Sequence, residues 1–308
     1  MDRAAQVLER LKGPVVPINV CFNEDGTVNY AAVREYVDWL CEEKIPVLML
    51  TYGSSEFMGL SDKEIWELTA TVARANAGRA LCIASTGFWK PAQTRDFLQH
   101  ADSVGVDAVK VQIHPWFPKT QAVLAGYFDR IESASDIPLL LWGHMPPPFP
   151  VDVAAQLAQR PNIVGMKNDG DPFYSYYDLI RATRDQDFAV VSGGQMRNFV
   201  FGYPIGSPAY LCPIAPFRPD IALAFYRLLV EGDIDAAWQM VFRYEEPWLQ
   251  WATEASERTW IAVMKSAVQL QGLYPNNLPA PPNPAPAPGL LDEVRAKLEA
   301  TFGVACTR

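Results

Sequence analysis

The stretch NIVGMKNDGDP, residues 162–172, sets a single lysine directly after a short apolar run. Asn162, Ile163, Val164, Gly165 and Met166 read as a buried strand, and Lys167 stands where that strand ends. Two readings fit the placement. Lys167 is either a solvated cation at a strand exit or a nucleophilic amine kept in a dry pocket. The rest of the chain has to decide between them.

Working outward, seven more apolar runs of the same kind occur: PVVPINV (14–20), PVLMLTY (46–52), ALCIAST (80–86), DAVKVQI (107–113), PLLLWG (138–143), FAVVSG (188–193) and PAYLC (208–212). Helix-like stretches such as NYAAVREYVDWLCEE, SDKEIWELTATVARANAG and TRDFLQHADSVG alternate with them. The second opens on Ser61 with Glu64 three residues later, a capping box that fixes a helix start. Eight strand–helix units without a hairpin signal predict an all-parallel sheet. Such a sheet closes most economically as an α/β fold of the (β/α)8 TIM barrel type, which needs roughly 250 residues. An open doubly wound sheet is the competing architecture. It calls for a Gly-rich phosphate loop after the first strand, and VCFNEDGTVNY is not one.

After residue 218 the pattern turns helical, as in DIALAFYRLLVEG, DIDAAWQMVFRYEEPWLQWATEAS and TWIAVMKSAVQLQGL. A Pro-rich run, LPAPPNPAPAPG, then precedes a last helix, so it reads as an extended strap rather than a linker. The expected organisation is a barrel with a short N-terminal helix over 1–218. The last barrel helix and a C-terminal helical appendage follow over 219–308, packed on the barrel as one structural unit.

The 308 residues are 49% hydrophobic and 20% charged, with a formal net charge of -9. A substantial core is available, and neither a nucleic acid nor an anionic membrane is an expected partner, since both need a basic face. Five cysteines, Cys21, Cys41, Cys82, Cys212 and Cys306, are far apart, with no CxxC pair and no zinc-like spacing. They are expected to be small buried thiols, and no metal or other cofactor is expected. The N-terminal residues alternate charge with apolar residues and no run approaches membrane-spanning length, so the expected location is the cytoplasm.

In a barrel of this type the active site lies at the C-terminal ends of the strands. Polar residues there include TYGSSE after the second run, HPWFP after the fourth, WGHMPPP after the fifth, SGGQ after the seventh and Lys167 itself. Gly53, Ser54 and Ser55 offer backbone N–H groups and hydroxyls suited to a carboxylate. On their own they are also ordinary turn residues. An amine opposite a carboxylate cradle is what covalent chemistry on a 2-oxo acid requires, provided desolvation or a nearby cation keeps the amine neutral.

These segments resemble the dihydrodipicolinate synthase / N-acetylneuraminate lyase family. NIVGMKNDGDP is similar to its Schiff-base lysine segment and YGSSEFMGLSDKE to its carboxylate-binding loop. The similarity continues through VVPINVCFNEDGTVNYAAVREYVDWL, AGYFDRIESASDIPLLLW, VVSGGQ and MKSAVQLQGLYPNNLPAPPNPAP, in order along the whole chain. The resemblance implies a barrel enzyme without metal that assembles as a homo-oligomer, tetramer or dimer. It implies an imine between Lys167 and pyruvate or another 2-oxo acid, with Ser54 and the N–H groups of Ser54 and Ser55 on the substrate carboxylate.

The departures are as informative. The tyrosine that the family uses as a proton relay at the end of strand five is Trp142 here, and an indole N–H has no basic lone pair. The tyrosine pair of strand four is replaced by IHPWFP, and an arginine beyond strand five by Pro146, Pro147 and Pro148. Dihydrodipicolinate synthesis itself is therefore not expected.

His144, two residues past Trp142, either carries the proton in place of the tyrosine or is a loop histidine before a proline run. His114 is a weaker substitute, and His100 sits mid-helix. Trp89, Trp116, Phe117, Trp142 and Phe149 either gather at the barrel mouth or pack loops as aromatics do in any barrel. Gly193 and Gly194 give room near the imine, Gln195 and Arg197 are candidate polar contacts, and Glu56 reads as a buried structural carboxylate. The favoured function is a lyase, aldolase or hydro-lyase, with an aromatic or apolar aldehyde partner. A sugar-acid dehydratase is one alternative, and a carboxylate-binding protein that has lost turnover is the other.

Overall fold

The computed structural model describes residues 2–143, 148–169, 173–254 and 260–303. Eight parallel strands pair in sequence order and close on themselves, the first against the last. They are β1 (Gly13–Pro17), β2 (Val47–Met49), β3 (Leu81–Ser85), β4 (Ala108–Lys110), β5 (Leu139–Gly143), β6 (Ile163–Asn168), β7 (Ala189–Ser192) and β8 (Ala209–Leu211). The helices are α1 (Arg3–Arg10), α2 (Tyr30–Glu42), α3 (Asp62–Asn76), α4 (Pro91–Ser103), α5 (Gln121–Ile131), α6 (Val151–Leu157), α7 (Phe173–Thr183) and α8 (Met196–Gly202). Beyond them lie α9 (Pro219–Glu231), α10 (Ile234–Met240), α11 (Glu246–Glu254), α12 (Trp260–Leu270) and α13 (Leu290–Phe302). The expected (β/α)8 TIM barrel with its helical appendage is the observed fold.

Strand alternation divides the apolar residues into two layers. Val15, Met49, Ile83, Ala108, Leu140 and Val191 fill the barrel interior, and Val7 of α1 and Leu11 just past it join them. The intervening Val16, Leu48, Cys82, Val109, Leu141 and Val190 belong to the outer core shared with the helices. At α3 the capping box forms as the sequence implies: Ser61 N donates to Glu64 Oε2 (2.8 Å), and Glu64 N donates to Ser61 Oγ (3.3 Å). Cys21, Cys41, Cys82 and Cys212 are buried free thiols, and Cys306 lies outside the described residues. Burial pushes the Cys82 and Cys212 thiols up to about 12, so they are unreactive at neutral pH. No helix among the described residues is long and apolar enough to cross a membrane.

One irregularity positions the site. Leu139 pairs with Ile163 but Leu140 pairs with Gly165, so Val164 is an extra residue on β6. Such a bulge shifts the inward and outward phase of everything after it. Val164 lies in the interior and Met166 in the outer layer, and Lys167 and Asp169 therefore turn inward. Gly165 sits at the bulge, where a Cβ would fall 2.5 Å from the Ala189 carbonyl oxygen.

The appendage is welded to the barrel through Trp248, fully buried against Phe217 (5.0 Å) and Phe302 (5.7 Å). The chain between α12 and α13 runs as a strap over the C-terminal ends of β1 and β2. Tyr274 OH donates to Asn19 O (2.6 Å), Asn276 Nδ2 to Phe22 O (3.0 Å) and Ala280 N to Glu56 Oε1 (2.7 Å). Lys265 of α12 pairs with Glu56 and donates to Leu278 O (2.7 Å). Glu56 holds a left-handed backbone (φ 50°) that is uncommon for a residue with a side chain, and this buried network fixes it there.

Candidate active site

Lys167 is 5% exposed at the C-terminal end of β6, and its Nζ donates to Asp169 Oδ1. The other oxygen of that carboxylate, Oδ2, accepts from Trp142 Nε1 at 2.6 Å. Trp142 and Lys167 are register partners across β5 and β6, so the bulge brings amine, carboxylate and indole to one level. The last residue of β4 adds a fourth member. Lys110 is 1% exposed, and its Nζ lies 4.9 Å from the centroid of the Trp142 ring. Burial above all, with the positive charge of Lys167 next, pushes its amine down to about 7, and Asp169 opposes the shift.

Gly193 closes this group on the β7 side. A Cβ there would fall 2.0 Å from Asp169 Oδ1, so only glycine admits the carboxylate that Lys167 binds. Gly193, Gly194, Ser54 and Asn19 line a cavity of about 270 Å³ at the barrel mouth, completed from the appendage by Trp260 and Met264. Asn19 is 1% exposed, and its Nδ2 has no hydrogen-bond partner among the described residues. The same side chain bears on the buried Tyr36 hydroxyl. Three larger hollows occur among the described residues: one of about 340 Å³ beside Arg197 and Glu245, and two of about 590 and about 690 Å³ beside Asp2 and Ala4 near α1, remote from the strand ends that carry chemistry in this fold.

The loop after β2 corrects one expectation. Ser55 is fully buried; its N–H donates to Thr51 O (3.1 Å) and its hydroxyl to Ile18 O (2.6 Å). The Ser54 N–H likewise donates to Thr51 Oγ1 (3.1 Å). The loop thus spends these N–H groups on its own turn, while the half-buried Ser54 lines the cavity and Gly53 is exposed.

The aromatic expectation also divides. Tyr52, Phe88 and Trp142 form a continuous wall, with centroids 4.5 Å and 5.9 Å apart along it, and His114 packs on Phe88 at 5.6 Å. Phe117 follows His114 at 6.3 Å. Trp116 instead stands 89% exposed, turned out of the mouth by the loop after β4. Trp89 is committed to the helix layer, where it packs on Phe97 (5.0 Å) and donates from Nε1 to Asp62 Oδ1 (2.6 Å). His144 lies outside the described residues, as do Pro146 and Pro147. His100 sits on α4 against Trp66. Arg197 is held by Gln195, and its N–H, with that of Met196, is capped by the buried Glu245 carboxylate.

Lys110, Asp169, Asn19 and Tyr52 were not singled out by the sequence patterns. A signal for Asp169 was there: two residues after Lys167, it shares that residue's strand face. Lys110 interrupts an otherwise apolar run, and a charge inside a barrel strand needs an explanation. Among the described residues no group of three His, Cys, Asp or Glu side chains could hold a metal ion.

A profile of the dihydrodipicolinate synthetase family matches residues 10–301. The chain belongs to that family. Its relatives include a probable 5-dehydro-4-deoxyglucarate dehydratase of Streptomyces avermitilis, 24% identical over 87% of this chain and 82% of that one. A 4-hydroxy-tetrahydrodipicolinate synthase of Gluconacetobacter diazotrophicus is 28% identical over 67% of this chain and 71% of its own length. Among solved structures, dihydrodipicolinate synthase from Oceanobacillus iheyensis superposes with a TM-score of 0.85 at 21% identity. That match covers 98% of this chain and 100% of the other. YagE of E. coli K12, solved in complex with pyruvate, gives 0.82 at 19% identity, over 94% and 98%. At these identities the structural likeness shows the fold, and the family match makes the chain a lyase of the dihydrodipicolinate synthetase family.

Proposed function

We propose that this family member is a class I lyase that forms an imine between Lys167 and a 2-oxo acid. The observation that carries the reading is the Lys167 amine: 5% exposed, at the C-terminal end of β6, hydrogen-bonded to the Asp169 carboxylate just past the strand. In this reading the amine attacks the C2 carbonyl, and Asp169 takes and returns the protons as the carbinolamine forms and loses water. The iminium then draws electrons from C2 and makes C3 acidic, which permits C–C or C–O cleavage. The Ser54 hydroxyl and the Asn19 amide are the groups proposed to hold the substrate carboxylate. The pyruvate complex of YagE supports the choice of a small 2-oxo acid. Assembly as a dimer or tetramer belongs to the same proposal and is read by light scattering.

The wall of Tyr52, Phe88 and Trp142 supports an aldolase whose second substrate is an aromatic or apolar aldehyde. A second reading, dehydration of a sugar acid, is favoured by relatives named as dehydratases, such as the protein from Xanthobacter autotrophicus at 26% identity over 92% of both chains. A panel of pyruvate with aromatic aldehydes, run beside 5-dehydro-4-deoxyglucarate, separates the two. Turnover with either set is expected to vanish in Lys167→Ala. Turnover that survives this substitution would end the covalent reading. No reaction and no adduct with any 2-oxo acid would leave a carboxylate-binding protein.

A further inference from the structure

We propose that Lys110 is a second catalytic lysine, the base that takes a proton from C3 of the imine formed at Lys167 and the acid that returns it. The inference rests on the imine reading above, and three observations carry it.

The first is position. Lys110 is level with Leu140 in the β4–β5 register, whereas Trp142, two residues further along β5, is level with Lys167. Two strand residues span about 6.6 Å, within reach of a lysine side chain, and Lys110 Nζ indeed lies 4.9 Å from the Trp142 ring centroid. Its amine therefore sits inside the barrel against the group formed by Trp142, Asp169 and Lys167, on the dry side of the mouth.

The second is its lack of a structural partner. Among the described residues Lys110 makes no ion pair, and the charged groups that bear on it are Lys167 of β6 and Asp169 just past that strand. The strands on either side offer Ser85 of β3, its register partner, and Trp142 of β5, whose ring its amine faces, neither of them charged. A fully buried lysine in such surroundings is a free amine for a large part of the time at neutral pH, its affinity for protons lowered to about 7.

The third is the residue beside it. Trp142 cannot relay a proton, but its ring face stabilises an ammonium. In the proposed step the C3–H bond breaks, its electron pair forms the C2=C3 bond, and the C2=N pair moves to the imine nitrogen. Iminium and neutral Lys110 amine become neutral enamine and Lys110 ammonium, so charge and atoms balance without a further reactant. The new ammonium faces the Trp142 ring, while Asp169 supplies the nearby negative charge.

Two readouts test the step with pyruvate, or with 2-oxobutyrate if pyruvate gives no adduct. Borohydride trapping followed by intact mass reports the imine; exchange of C3 protons in D2O, followed by NMR, reports proton transfer. Lys110→Met and Lys110→Arg are expected to trap the 2-oxo acid on Lys167 yet to exchange about 100- to 10,000-fold more slowly than the parent protein. Arginine keeps the charge but cannot act as the base, so its failure separates proton transfer from mere charge. Variants that trap and exchange at the parent rate overturn the proposal. If neither variant folds, the parent decides: exchange per trapped imine should rise with pH through an inflection near 7, and a flat ratio overturns the proposal. A parent protein that traps nothing overturns the imine reading itself, which is visible without any variant.

Discussion

Two buried lysines, Lys265 and Lys110, are each 1% exposed and each lie over an aromatic ring, but their charged surroundings differ. Lys265 has a carboxylate partner in Glu56, a carbonyl acceptor in Leu278 and the face of Phe22 at 4.4 Å. Lys110 has the face of Trp142 and the field of a second lysine. Burial pushes the first amine down to about 8, against the pull of Glu56, and the second down to about 7. A buried charge met by a partner of opposite sign fastens structure; here it ties the strap to the loop after β2. A buried amine left without such a partner is a cost to folding that chemistry explains.

The comparison breaks most visibly on the structural side. Glu56→Ala strands Lys265 in the core and releases the Ala280 N–H, so it should destabilise the protein by about 3–5 kcal/mol in urea unfolding. Lys110→Met replaces an unpaired amine with an apolar side chain of similar length, and should leave stability equal or higher. A large loss from Lys110→Met and none from Glu56→Ala would reverse the two roles.

Gly193→Ala is a finer probe, aimed at the carboxylate between the two strand-end groups. Its Cβ has no room beside Asp169 Oδ1, so Asp169 must move away from Lys167. A displacement of this kind is expected to lower turnover about 100-fold with the fold retained, read by circular dichroism beside kcat. Unchanged kcat would detach Asp169 from the reaction.

The smallest effect is a pH dependence. In the folded chain Lys110 releases its proton near 7, whereas in the unfolded chain it does so near about 10.4. Between those values the unfolded state carries a proton that the folded state lacks, so stability rises with pH across that window. Lys265 adds a rise of the same sign only from about 8 upward. From pH 7 to 8 the parent should therefore gain about 1 kcal/mol that Lys110→Met does not, as measured by urea midpoints.

Much of this was legible in the sequence, for identifiable reasons. Eight apolar runs punctuated by amphipathic stretches can close in few ways, and Lys167 ends one of them. The bulge at Val164 was not legible, because β6 is buried on both faces and an extra residue leaves no gap in an apolar run. The same lack of alternation hid the inward direction of Lys110 within DAVKVQI. Ser55 differs from its expected role because a serine that closes its own turn looks, as a letter, like one that binds a ligand. DIDAAWQMVFRYEEPWLQWATEAS reads as helical, and α10 and α11 follow one another there without a break. The sequence does not show the π-helical turn between them at Val241–Glu245, which sets the Glu245 carboxylate on the N–H groups of Met196 and Arg197.

The most direct test of the account distinguishes three buried lysines by chemistry. Parent protein is mixed with pyruvate and borohydride, digested, and mapped by mass for the peptides that contain Lys110, Lys167 and Lys265. One reduced adduct is expected, on Lys167, with Lys110 and Lys265 unmodified. An adduct on Lys110 in its place, or none with pyruvate or any other 2-oxo acid, would contradict it.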